Sequence, residues 1–163
     1  MKKIQNNKQK KSGISKNFAW ILAMVVLLGF ALLATEPLWN QPWAANEKDD
    51  PALIAQGETL YVTNCQVCHG AKGVGQDVNQ RMGGQRADGT YIAPALDGSA
   101  HAWHHPEAML FKLIKEGSPV AESPMRGWAE RMSDKEIRAV IAYFQSLWPK
   151  ELLARYRKVQ SQN

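Results

Sequence analysis

A glycine-rich segment from residue 70 to residue 104 is the feature that most limits what this chain can fold into. It contains seven glycines and Pro94, which interrupt helical and strand periodicity alike. It has no alternating run of β-branched residues that would form a sheet. Because the flanking apolar patterns are helical, we predict an all-α domain that is about one-third loop. So small a domain has little core of its own, and we expect something other than its side chains to fill the centre.

Two helices are predicted on either side of the glycine-rich segment. The first begins at Pro51, after the suitable N-cap Asp50, and ends near Asn64. The second covers residues 106–116 and stops at Gly117. We expect the inner face of the second helix to consist of Met109, Leu110, Leu113 and Ile114.

A third helix has the clearest start signal in the chain. Ser133 and Glu136 have the spacing of a capping box, and Met132 and Ile137 have the spacing of a hydrophobic staple. Residues 149–163 follow it as a short basic helix and tail. The predicted apolar face of the third helix consists of Ile137, Val140, Ile141, Phe144 and Leu147.

The positive charge of the chain is concentrated at its N-terminus. The net charge is +5, but residues 1–16 hold six lysines and no acidic residue, so the remainder sums to −1. A nucleic-acid-binding domain carries its excess positive charge on the folded part, and we therefore expect no nucleic-acid partner. With only two cysteines, the chain is not a disulfide-stapled scaffold either.

Residues 18–35 form an uncharged apolar stretch that we predict to be a transmembrane anchor. A helix of this length covers about 27 Å, close to the hydrocarbon thickness of a bilayer. A cleaved signal peptide is the alternative, but its apolar core is shorter and this chain has poor cleavage sites. The lysines of residues 1–17 place this tail in the cytoplasm, so that residues 36–50 are a linker to a domain outside the cytoplasmic membrane, in the periplasm.

Both cysteines belong to one motif, Cys65-Gln66-Val67-Cys68-His69. The spacing C-x-x-C-H is typical of covalent c-type haem attachment, in which two thiols bind the vinyl groups and the histidine binds the iron. A thioredoxin-like redox pair would need a βαβ context, and a structural zinc site would need four ligands. A simple disulfide would not require His69.

Residues 51–148 resemble a class I c-type cytochrome domain. The resemblance rests on Gly57 and Tyr61 before the motif, the motif itself, and three later segments. These segments are Pro94-Ala95-Leu96, Ser123-Pro124-Met125 and Tyr143-Phe144. It implies one covalently bound haem c, and a crossing of the first and last helices with Gly57 and Tyr61 facing Val140 and Phe144. More narrowly, the chain is similar to small bacterial membrane-anchored monohaem cytochromes.

The resemblance also assigns the second iron ligand. Met82 follows His69 too closely to cover the other haem face, Met109 is expected in the core, and Met132 is already the staple residue. Met125 precedes the last helix, where the family places its methionine. His101, His104, His105 and an open position are the alternatives, and the three histidines are also a candidate site for another metal.

The family further implies that Pro94 accepts a hydrogen bond from His69 and that an aromatic residue follows the methionine. Trp128 supplies the aromatic, whereas Arg126 stands where a proline is usual. With both axial positions filled, no catalytic residue or small-molecule substrate is expected, and the protein would carry single electrons between redox proteins at the membrane. A haem sensor, a catalytic haem with an open site, a subunit of a larger oxidoreductase and a thiol oxidoreductase are the alternatives.

Overall fold

A computed structural model describes residues 20–22, 24, 25 and 47–162. The chain divides into two compact units, Met1–Pro37 and Leu38–Asn163. In the first unit, the five described residues are helical and their side chains are exposed. The rest of the predicted anchor 18–35, the basic tail and the linker up to residue 46 lie outside the described residues. Among the residues that are described, no helix is long and apolar enough to cross a membrane.

The second unit is mostly helical, as the apolar patterns predict. Its helices, in chain order, are α1 (Pro51–Asn64), α2 (Gln66–His69), α3 (Glu107–Glu116), α4 (Asp134–Ser146) and α5 (Lys150–Gln160). Two short 3-10 turns, Ala71–Gly73 and Ala102–His104, lie in the segment between α2 and α3.

The capping signals of the sequence act as predicted. The Asp50 side chain accepts a hydrogen bond from the Ala52 N–H at the start of α1. Ser133 and Glu136 form the reciprocal capping box of α4, with both side chain–backbone bonds present. Pro106 and Pro149 each stand at the N-cap, one residue before α3 and α5, because proline cannot continue a preceding helix.

The prediction that the glycine-rich segment forms no strands is wrong in one place. The strands β1 (Gly84–Gln85) and β2 (Tyr91–Ile92) pair antiparallel around a turn that includes Gly89. The Gly89 N–H donates to the Arg86 carbonyl, and Gly89 has φ +85°, a conformation that favours glycine. A tight turn, rather than β-branched periodicity, therefore makes this two-residue ladder.

The main core joins α1, α3, α4 and α5. The predicted apolar face of α4 is buried except for the half-buried Leu147. Tyr156 of α5 is also buried, with its ring 5.1 Å from that of Trp148. The fully buried members of the largest cluster include Tyr61, Ile137, Val140, Ile141 and Phe144.

Two packing predictions are wrong. Met109 is 41% exposed, while Phe111 takes the inner position, because Leu110 and Phe111 together face the core. Gly57 faces Ala139 and Tyr143 rather than Val140. In α3 the buried residue is two positions after the predicted Met109, and at the crossing the residues nearest Gly57 are each one position before the Val140 and Phe144 that the resemblance implies.

Candidate haem site

The C-x-x-C-H motif consists of the short helix α2 and its N-cap residue Cys65, which directly follows α1. The Cys65 N–H donates to the Tyr61 carbonyl at the end of α1, and the Cys65 carbonyl accepts the His69 N–H at 2.9 Å. Neither cysteine is in a disulfide; Cys65 is half-buried and Cys68 is exposed. Burial, with a smaller effect from Cys68, raises the pKa of the Cys65 thiol to about 11. The two thiols thus lie one turn apart in different environments.

Backbone contacts fix the end of the motif. The Tyr61 hydroxyl donates to the Gly70 carbonyl at 2.9 Å, and the Gly75 N–H donates to the His69 carbonyl at 2.8 Å. A Cβ at Gly70 would lie 2.5 Å from the Gly75 oxygen, and its φ is +74°. Glycine is therefore required where the chain leaves α2.

The His69 ring is held in one tautomer. Its Nδ1 lies 2.8 Å from the Pro94 carbonyl oxygen, which can only accept, so Nδ1 carries the proton. Burial lowers the pKa of His69, and the hydrogen bond to Pro94 opposes that shift. The imidazole is therefore neutral, and the lone pair on its Nε2 is free to bind a metal.

The glycine-rich segment closes on itself to bring Pro94 to His69, 25 residues earlier. The Gly73 carbonyl accepts the N–H groups of Leu96 and Asp97 at 2.7 and 3.1 Å. Arg81 uses both its backbone and its side chain, since its carbonyl accepts from Ala95 at 2.8 Å and its guanidinium pairs with Asp97. These internal hydrogen bonds fold the long segment back on itself, so the predicted hydrogen bond between His69 and Pro94 forms although the two residues are 25 positions apart.

A cavity of about 430 Å³ opens beside the motif. Its wall is mainly apolar and comes from α2, the glycine-rich segment, α3, the loop before α4, and α4 itself. Its apolar wall residues include Val67, Ala93, Ala95, Leu96, Ala102, Leu110, Leu113, Ile114, Val140 and Phe144.

The structure brings all six predicted site residues to this one cavity. Its lining includes Cys65, Cys68, His69, Pro94, Met125 and Trp128. The other candidate methionines do not line it: Met82 and Met109 are exposed, and Met132 is buried elsewhere in the core. Of the three candidate histidines, His101 and His105 line the cavity and His104 does not. Within the described part of the chain, no three histidine, cysteine or acidic side chains cluster as a metal site.

The loop that carries Met125 is tied to α3 without the proline that is usual after the methionine. The Ser118 N–H donates to the Met125 carbonyl at 3.1 Å, and the Trp128 N–H donates to the Ile114 carbonyl at 3.0 Å. A Cβ at Gly127 would lie 2.7 Å from the Lys115 oxygen. The loop therefore approaches the end of α3 too closely at this position for a side chain to fit without a shift of the backbone.

Sequence reasoning missed several polar wall residues. Tyr91, Arg126 and Arg131 line the cavity, and none of them belongs to a recognised motif. The Arg131 guanidinium lies 4.3 Å from the Trp128 ring centroid, a cation–π distance. Because these residues come from loops and a minimal hairpin, no helical or strand period marks them.

These residues fit a covalently attached haem. Two thiols that form no disulfide, an imidazole with a free Nε2 and a thioether line the same space. The described lining contains histidines and arginines and no acidic side chain, which suits a group that carries two carboxylates. An apolar wall around the donor set is what a buried iron centre needs to set its potential.

The sequence profile described as cytochrome c oxidase, cbb3-type, subunit III matches residues 52–144. The chain belongs to this family, and its folded part is a class I c-type cytochrome domain with covalently bound haem c. The extent of the match agrees with the region that resembled a cytochrome by its residues alone.

Curated relatives include two cytochromes c4 and one oxidase subunit. The cytochrome c4 of Thiocapsa roseopersicina is 35% identical over 128 residues, 72% of this chain and 56% of that protein. The cytochrome c4 of Stutzerimonas stutzeri is 32% identical over 111 residues, 60% and 45% respectively. The cbb3-type cytochrome c oxidase subunit FixP of Bradyrhizobium diazoefficiens is 33% identical over 93 residues, 57% and 27%. The chain thus spans from about a quarter to just over half the length of these relatives.

Proposed function

We propose that this electron carrier is a membrane-tethered monohaem cytochrome c that passes single electrons between respiratory proteins outside the cytoplasmic membrane. The observation that carries the proposal is that His69 and Met125 line one cavity, with the Nδ1 of His69 engaged by Pro94. An imidazole nitrogen and a thioether are the two axial ligands of electron-transfer c-type cytochromes.

Each predicted residue has a definite part in this proposal. Cys65 and Cys68 would hold the haem covalently, and His69 would bind the iron through Nε2, since Pro94 fixes the ring through Nδ1. Met125 would supply a thioether sulfur to the iron, and Trp128 lines the same cavity. When bound, the haem supplies an iron that gains and loses one electron. With both positions filled there is no room for a substrate, so the protein is a carrier and not an enzyme.

The tether is supported by the sequence. Residues 18–35 are long and apolar enough for one span, and the preceding lysines favour a cytoplasmic N-terminus. The haem domain then lies on the periplasmic side, next to other membrane-bound redox proteins.

Membership of a complex is the second candidate. The family profile is that of an oxidase subunit, and the relative FixP is named as one. In that case the partners are the other subunits, and solubilised membranes yield this chain together with them rather than alone.

Substitution of Met125 tests the ligand assignment. Met125→Ala should lose the weak sulfur–iron charge-transfer band, lower the midpoint potential and let the ferrous protein bind carbon monoxide, because a neutral sulfur ligand is removed. The haem should stay attached through its cysteines. Absorption spectra with and without carbon monoxide give the result.

Met132→Ala is the matched control, since Met132 is buried away from the cavity. It should cost about 2–5 kcal/mol of unfolding free energy, as buried methionine truncations do, and leave the spectrum unchanged. A wild type that already binds carbon monoxide would favour the sensor over the carrier. If Met132→Ala loses the sulfur–iron band and Met125→Ala keeps it, Met132 and not Met125 is the iron ligand.

The mass of the intact protein tests the tether. We expect protein extracted from membranes with detergent to retain residues 1–35, and to stay in the membrane fraction after an alkaline wash. A mass that corresponds to a start near Thr35 or Asn46, with the protein in the soluble fraction, would contradict the anchor and favour a cleaved signal peptide.

A further inference from the structure

Two histidines stand at the cavity on either side of the 3-10 turn Ala102–His104. His101 and His105 both line the cavity, and their rings are 5.5 Å apart and nearly perpendicular, at 84°. His104, between them in sequence, is exposed and lies against Trp103, with ring centroids 3.7 Å apart and ring planes tilted by 59°. The turn therefore directs two of its three imidazoles to the cavity and one away from it.

The backbone of this turn is firmly held, while the two cavity imidazoles are not. The His104 N–H donates to the His101 carbonyl at 2.9 Å, and the Tyr156 hydroxyl of α5 donates to the His105 carbonyl at 3.1 Å. The ring nitrogens of His101 and His105 make no hydrogen bond to any residue in the described part of the chain. These nitrogens are therefore available to whatever the cavity holds.

The other charged groups at the cavity come from a different loop. Arg126 and Arg131 flank the Met125 segment, and Arg131 is already stacked on Trp128. The Arg126 side chain likewise makes no hydrogen bond or ion pair to any described residue, but both arginines are exposed, whereas His101 and His105 are half-buried. The two histidines are thus a half-buried pair of nitrogen donors at the cavity without a partner in the described part of the chain. The titratable and charged groups that face this pair, on the cavity wall and on the elements packed against the turn, are Cys65, Cys68, His69, Tyr91, His104, Glu107, Arg126, Arg131 and Tyr156.

We propose that His101 and His105 form the carboxylate-binding end of the cavity, where their ring N–H groups donate to the carboxylates of the haem. The proposal deepens the proposed electron-carrier function, on which it rests. It commits to these two residues rather than to the arginines of the methionine loop.

Protonation at this pair is then linked to the charge of the cavity. Burial, followed by repulsion from His105 and His104, lowers the pKa of His101. An added electron makes the cavity more negative and favours the imidazolium form. Each electron gained is accompanied by up to one proton taken from solvent by an imidazole nitrogen, and oxidation returns it. The midpoint potential therefore falls as pH rises through the histidine range.

Potentiometric titration of the purified haem protein from about pH 5 to pH 8, around the ordinary histidine pKa, tests the assignment. The wild type should show a potential that falls with pH. His101→Asn and His105→Asn should each weaken that dependence, and the double variant should abolish it. His104→Asn is the matched control from the same turn and should behave as the wild type. A haem stain after denaturing electrophoresis confirms that each variant keeps its attached haem.

Three results would overturn the proposal. The first is a wild-type potential that does not change with pH, and the second is a double variant that keeps the wild-type dependence. In the third, Arg126→Gln abolishes the dependence and the histidine variants do not, which would assign the carboxylates to the methionine loop.

The spectrum separates this proposal from the assigned ligands. If His101→Asn or His105→Asn lets the ferrous iron bind carbon monoxide, that histidine is an iron ligand, and both the carboxylate assignment and the Met125 assignment fail. If the wild type binds carbon monoxide and its potential still depends on pH through the pair, the carrier function fails while the carboxylate assignment stands.

Discussion

The crossing of α1 and α4 and the cavity beside α2 are two regions of this small domain that differ in their packing. The crossing is tightly packed, whereas the cavity is an open space lined by side chains. At the crossing, a Cβ on Gly57 would lie 1.9 Å from the Ala139 carbonyl oxygen, so the two backbones touch. Around the cavity, side chains from five parts of the chain line a space of about 430 Å³. Helix α4 contributes to both, with Ala139 at the crossing and Val140 at the cavity.

The difference shows where the stability of the domain comes from. The crossing is complete without any ligand, because helix packs on helix through a small residue, and the Tyr61 and Tyr143 rings lie 5.2 Å apart beside it. The cavity walls lack neighbours on one side until a group fills the space. We therefore expect the crossing to form in the apoprotein and the cavity walls to become rigid only with the haem attached.

Gly57→Ala should break the crossing, and it should have the largest effect of these changes. The added methyl meets a helix backbone that cannot move alone, so we expect a cost comparable to the whole stability of a small domain, about 5 kcal/mol or more. Helix propensity alone predicts that Gly57→Ala raises the unfolding free energy by about 1 kcal/mol. The sign of the measured change therefore shows whether the close contact or the propensity dominates. Urea unfolding followed by circular dichroism measures it.

Gln56→Ala is the control for the crossing, because Gln56 is exposed on the same helix. It should change the unfolding free energy by less than about 0.5 kcal/mol, as most surface changes do. A Gly57→Ala variant as stable as the wild type would mean that α1 and α4 do not cross at this residue.

Ile137→Ala and Leu113→Ala should sharpen the comparison. Ile137 is fully buried away from the cavity, so its truncation should cost about 2–4 kcal/mol and leave the haem spectrum and potential unchanged. Leu113 is half-buried on the cavity wall, so its truncation should shift the potential by admitting water, at a smaller cost in stability. Denaturation and potentiometry of both variants provide the test. If Ile137→Ala changes the haem spectrum and potential as much as Leu113→Ala does, the core around Ile137 and the cavity wall are not independent.

Arg157→Ala should have the smallest effect, since Arg157 lies outside both regions. It donates two 2.7 Å hydrogen bonds to the exposed Asp49, and their loss should cost about 0.2–1 kcal/mol. The hydrogen bond from Arg157 lowers the pKa of Asp49 in the folded state. The stabilisation is therefore present above the unfolded pKa of about 3.9 and is lost as pH falls through the folded value.

Unfolding at pH 7 and at pH 3 checks this surface pair. The difference between Arg157→Ala and the wild type should shrink at the lower pH, and the spectrum should be the same for both proteins. A larger difference at pH 3 than at pH 7 would contradict the sign of the linkage.

The sequence by itself determined the features that depend on neighbours within one helical turn. Asp50, Ser133 and Glu136 mark helix starts because a cap needs only the next three residues. The C-x-x-C-H motif is likewise local, since Cys68 and His69 belong to one short helix and Cys65 is its N-cap residue. For this reason the helix bounds and the kind of cofactor could be predicted before any tertiary contact was known.

Only the tertiary structure decided which residues share the cavity. The approach of Pro94 to His69, the separation of Met125 from Met132, and the outward position of Met109 depend on how distant segments pack. The separation of the cavity histidines His101 and His105 from His104 is decided by a single 3-10 turn. A period of 3.6 residues shows that a helix has an apolar side, but it does not show whether that side meets another helix or a cofactor. The path of a glycine-rich loop is set by bonds between residues far apart in sequence, such as those of Gly73 with Leu96 and Asp97, which no local pattern records.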